Sequence, residues 1–125
     1  MLISNHMSQN FQPGDFLIFQ IESGYGLLRV LALDEWPGET IWHLAAYSDL
    51  FLDVEMADAA LDSNTPPEIS HEHLALTNRA FESTQVARMR NVPLTDGELD
   101  AFDKWKQDDG RKVSDRSVRL LLGLR

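Results

Sequence analysis

Phe11-Gln-Pro-Gly-Asp-Phe-Leu-Ile-Phe-Gln-Ile21 is the stretch on which the fold turns. Pro13-Gly14 makes a turn that the Asp15 side chain can close. Phe16 to Ile21 is rich in aromatic and branched residues, the composition of a buried strand. Glu22-Ser-Gly-Tyr-Gly26 follows as a hairpin connection, and Leu27 to Leu33 returns as a second strand. Asp34-Glu-Trp-Pro-Gly-Glu39 turns the chain once more, into a third strand over Thr40 to Tyr47. Strands joined in series by short turns predict an antiparallel meander.

Further along, the pattern has two periods. Leu50, Leu52, Val54 and Met56 alternate with Phe51, Asp53, Glu55 and Ala57, as in a strand. Phe51, Val54, Asp58 and Leu61 also stand at helical spacing, and residues 57–62 favour a short helix by propensity. Pro66-Pro67 make residues 63–68 a loop. His71 to Thr77 and Gln85 to Val92 read as two more strands, joined through Asn78 to Thr84. Leu94-Thr-Asp-Gly-Glu98 is a capping box, with Thr95 as N-cap and Leu94 as the apolar residue before it. Leu99, Phe102 and Trp105 then line one face of a helix that ends near Asp108-Asp-Gly110, with the glycine as C-cap. A last helix is expected from Ser114 through Val118, Leu121 and Leu122 to Gly123. The chain thus reads as α+β: a strongly bent antiparallel sheet with C-terminal helices, one domain over residues 11–125 behind a flexible leader at 1–10.

The charge is uneven. The 125 residues carry −9 overall, with 12 acids and one base (Arg29) in residues 1–78 against 8 acids and 10 bases in residues 79–125. An acidic front half repels nucleic acid and anionic membrane surfaces and draws in a basic protein. The basic run Arg111 to Arg116, with Arg119 and Arg125, lacks stacking aromatics and reads as solvated helix ends. There is no cysteine, which removes disulfides, thiolate metal sites and a cysteine nucleophile and suits a reducing cytoplasm. No apolar run approaches the roughly 20 residues of a membrane-spanning helix.

Motifs for chemistry are sparse. His71-Glu72-His73 puts two imidazoles on one side of a regular strand, and Glu68 could add a carboxylate. The spacing lacks a third histidine, so no metal and no cofactor are expected. Asp62-Ser-Asn-Thr opens like a calcium loop but runs into Pro66 and Pro67. Nucleophile-elbow and phosphate-loop motifs are absent, and no catalytic residue is assigned. The expected binding residues are Trp36 in its turn, Trp42 on the third strand, and the acids Asp34, Glu35, Asp49, Asp53, Glu55 and Asp58 around them. A basic protein is the expected partner. The competing readings are a small hydrolase using carboxylates with His71 and His73, and a homo-oligomeric regulatory subunit.

Phe11-x-Pro-Gly-Asp15 followed by Gly26-Leu-Leu-Arg-Val30 resembles the opening of small SH3-like β-barrels. More narrowly, it is similar to the SH3-like-barrel immunity proteins of bacterial polymorphic toxin systems. The resemblance covers residues 11–47. It implies a small closed barrel and a cytoplasmic protein that binds and blocks a cognate toxin. It assigns no functional residue, and the C-terminal helical part has no counterpart in it.

Overall fold

Asp15–Ile21 (β1), Gly24–Trp36 (β2) and Glu39–Tyr47 (β3) form the expected meander in a computed structural model that describes residues 10–124. Residues 1–9, which make up nearly all of the expected leader, lie outside the described residues. Ile69–Thr77 (β4) pairs with β3, and Val86–Asn91 (β5) returns to the far side of β1. The strand order is β4-β3-β2-β1-β5, with every pairing antiparallel.

The sheet stays open. β4 and β5 are its two edges and do not pair, so the barrel implied by the resemblance does not form. The reason lies in how the strands are buried. A closed barrel needs one apolar interior, whereas here both faces of the sheet are apolar and both are covered. Leu17, Phe19, Leu28, Val30, Trp42, Leu44 and Leu76 look one way, onto Asn78–Glu82 (α2) and Val118–Leu122 (α4). Ile18, Leu27, Leu31, Ala45 and Tyr47 look the other way, onto Val54–Asp62 (α1) and Asp96–Gln107 (α3). Register shifts interrupt the pairings β1–β5, β2–β3 and β3–β4, and such bulges bend and twist a sheet.

Two local choices fix the β1–β2 hairpin. A side chain at Gly26 would sit 2.4 Å from the Phe19 ring, so only glycine lets that ring lie across the opposite strand. Gly14 takes φ 94°, and its carbonyl accepts a 2.6 Å hydrogen bond from Arg29 Nη1.

Several expectations change in the second half. Residues 54–56 are helical, because the Asp53 carboxylate accepts from the Met56 amide at 2.8 Å and starts α1 three residues before position 57. The link between β4 and β5 is helix α2, capped by Thr77. Helix α3 starts at the Thr95–Glu98 capping box as expected, but its C-cap is Asp108 in extended conformation rather than Gly110. Ser114 does not begin the last helix. It bridges to β4, donating to the Ala75 carbonyl and accepting from the Thr77 amide, and so covers part of that edge. Ser117 caps α4 instead, and Gly123 ends it at φ 69°.

Candidate functional site

The structure separates the expected binding residues. Trp36 and Glu39 face each other at one end of the β2–β3 ladder, while Asp49 follows the opposite end of β3. The two groups are thus the length of a strand apart, roughly 25 Å at about 3.3 Å per residue. Trp36 is exposed at the turn. Trp42 is not a surface anchor: it is 2% exposed, its ring stacks on Phe81 at 4.0 Å, and its indole N–H donates to Asn78 Oδ1 at 2.8 Å. The alternation of β3 turns Trp42 to the α2 side, where Phe11 and Phe81 box it in.

The acids also divide. Asp58 shares Arg90 with Asp62, Nη1 reaching Asp62 at 2.7 Å and Nη2 reaching Asp58, so a base from the second half neutralises part of the acidic first half. Arg88 does the same for the buried Asp15 at 2.8 Å. Burial raises the Asp15 carboxyl, but hydrogen bonds from Asn91, the Gln12 amide and Arg88 outweigh it and hold the group below the usual carboxylate range. Asp34 accepts from His43, and Asp53 is occupied in capping α1. Glu35, Asp49 and Glu55 are exposed and make no ion pair among the described residues.

A surface that the sequence reading missed lies beside this second group. Leu50, Leu52, Val54 and Met56 are all exposed, Leu52 by 75%. Their alternation with acids resembles a strand with one buried face. Once Asp53 caps a helix at Val54, only Phe51 and Ala57 of this stretch go inward, and the four large apolar side chains stay outside. They stand within seven residues, edged by Asp49, Asp53 and Glu55.

The histidines part company at the β3–β4 bulge. Leu44 pairs with Leu74 and Ala46 with His71, so β4 carries one extra residue opposite Ala45. That residue reverses the side on which His71 falls. His71 lies beside Leu122 and Leu124, with Nδ1 3.0 Å from Ser70 Oγ. His73 lies on the opposite face, its ring stacked on His43 beneath Phe102 and Trp105. The two imidazoles expected to share one side do not meet. Among the described residues, no group of three His, Asp or Glu side chains is placed to hold a metal ion.

His73 instead ends a hydrogen-bonded string. Asp34 Oδ2 is 3.0 Å from His43 Nε2, and His43 Nδ1 is 2.9 Å from His73 Nε2. A carboxylate can only accept, so His43 carries its proton on Nε2. Its Nδ1 then accepts from His73 Nε2–H, which leaves His73 Nδ1 as an acceptor on a residue that lines a groove with Trp105, Lys112 and Ser114. Burial holds both rings neutral: it lowers His43 against the pull of Asp34, and with the adjacent His43 it pushes His73 down to about 4. No hydroxyl or carboxylate among the described residues engages the free nitrogen of His73. The string satisfies the polar atoms of two imidazoles under α3 and brings no nucleophile to them. The chain matches no protein-family model, no curated protein and no solved structure.

Proposed function

We propose that this chain is a protein-binding module for a basic partner, and that it serves as an immunity protein, covering a toxin in the cytoplasm. The observation behind it is the segment at residues 50–56, where Leu50, Leu52, Val54 and Met56 are exposed among Asp49, Asp53 and Glu55. Desolvated apolar anchors inside a charged rim are the anatomy of a protein interface, and the rim sets the sign of the partner. A net charge of −9 disfavours nucleic acid at the same surface. Helix α1 gives the segment a fixed shape, since Asp53 caps it and Arg90 clamps its other side.

The test is affinity capture from the native host with the unaltered chain and with a Leu52→Asp, Met56→Asp double variant. Both side chains are outside the core, so the variant should fold. The expected result is one dominant basic protein with the unaltered chain, its loss with the variant, and growth rescue when that protein is co-expressed with this chain. Capture of the same protein by the variant, or of a partner that is not basic, would overturn the proposal.

A further inference from the structure

Trp36 is 47% exposed at the β2–β3 turn, where an indole adds nothing to the core. It lines a cleft of about 670 Å³ with Glu35, Glu39, Thr77, Arg79 and Asp115. Trp36 and Glu39 are register partners, which sets the carboxylate beside the indole across the ladder. Asp115 accepts from Thr77 Oγ1 at 2.6 Å and is paired with Arg79, so those two charges cancel. Glu35 and Glu39 line the cleft and make no ion pair among the described residues, next to an accessible aromatic face.

We infer that this cleft takes an arginine side chain of the basic partner, the guanidinium lying on the Trp36 ring and donating to its cross-strand neighbour Glu39, with Glu35 adding negative charge to the cleft wall. A planar cation that both stacks and forks its hydrogen bonds suits an indole flanked by carboxylates better than an ammonium does. The inference rests on the partner being a basic protein, and it adds a second contact a strand's length from the 50–56 segment.

The experiment uses the full chain labelled with ¹⁵N and a blocked Gly-Arg-Arg-Gly peptide at low salt. Lysine and citrulline counterparts serve as controls, the latter matching arginine in shape without its charge. The expected result is a saturable shift of the Trp36 indole and Gly38 amide with the arginine peptide, a weaker one with lysine and none with citrulline. Trp36→Leu should weaken binding about fivefold, and Glu35→Gln with Glu39→Gln by a similar factor. Equal shifts from arginine and citrulline, or shifts confined to residues 49–58, would overturn the inference. So would a Trp36 shift that follows protein concentration without peptide, since a second copy of the chain would then fill the cleft. The peptide result does not depend on the capture experiment, so failure of the arginine contact and failure of the basic-partner reading are told apart.

Discussion

Arg29 grips Glu98 with two hydrogen bonds, Nε to Oε2 at 3.0 Å and Nη2 to Oε1 at 3.1 Å, and so ties β2 to the first turn of α3. The guanidinium is 2% exposed, lies 4.2 Å from the centre of the Phe16 ring and also donates to the Gly14 carbonyl. Removing Glu98 would strand a buried cation, which costs about 3–5 kcal/mol, whereas losing a helix cap costs about 1 kcal/mol. Glu98→Ala should therefore destabilise the chain markedly more than Thr95→Ala, even though Glu98 and Thr95 cap each other. Urea unfolding of the two variants measures this. Equal losses would mean that the cap, and not the ion pair, holds α3.

The His43–His73 contact sets a pH dependence with a definite sign. The folded state holds His73 near 4 and His43 also below its ordinary value, while both return to about 6.5 in the unfolded chain. The unfolded state thus binds more protons as pH falls. The stability from these rings is complete above about pH 6.5 and is lost on acidification towards pH 4, on the order of 3 kcal/mol for His73. Asp15 and Glu98 are held below the carboxylate range and act with the same sign, but only at pH values below about 4.5. The window between about 4.5 and 6.5 therefore belongs to the histidines. His73→Gln should flatten the fall in urea midpoint across that window. An unchanged slope would remove His73 as its source. Nitrogen chemical shifts should also find His43 protonated on Nε2 and His73 on Nε2 at neutral pH.

Gly26→Ala tests the packing of the first hairpin. The new methyl carbon would lie 2.4 Å from Phe19, whose own side chain is fully packed, so the ring has to move within the core. Overpacking of this kind costs about 1–3 kcal/mol. A thermal melt should show the loss, and a Phe19→Leu change in the same chain should recover part of it. No loss in Gly26→Ala would mean that the ring does not lie across the glycine.

Turn residues and aromatic, branched composition made β1 to β3 legible, and Thr95 with Glu98 marked the start of α3 to the residue. What the sequence did not yield depended on pairing between distant segments. The bulge opposite Ala45 separates His71 from His73, and no local pattern announces it. Trp42 reads as a half-exposed strand residue until α2, itself hidden in an apparent linker, brings Phe81 onto its ring. Open sheet against barrel turned on whether the second face would also be covered, which α1 and α3 decide from far along the chain. The −9 net charge and its uneven spread along the chain were visible, but its arrangement in space was not, because Arg88 and Arg90 cross from the second half to Asp15, Asp58 and Asp62.

Association with the partner should divide into steering by acids and holding by apolar contacts. Asp49 and Glu55 are exposed and make no ion pair among the described residues, while Asp58 shares Arg90 with Asp62. Long-range attraction acts before contact and is screened over about 8 Å at physiological ionic strength, so it governs the on-rate and its salt dependence. Asp49→Asn with Glu55→Gln should slow association and reduce its sensitivity to salt, leaving dissociation nearly unchanged. Asp58→Asn should slow association as well, by about as much as either single change, because the Asp58–Asp62–Arg90 group then goes from one net negative charge to none. Leu52→Ala and Met56→Ala remove buried contact only after docking, so they should speed dissociation, by roughly tenfold where a side chain contributes about 1.4 kcal/mol. Surface plasmon resonance at two salt concentrations separates these effects. Should Asp49→Asn with Glu55→Gln leave the on-rate unchanged while a variant of the Arg111–Arg116 stretch alters it, the 49–58 segment is not the surface that meets the partner.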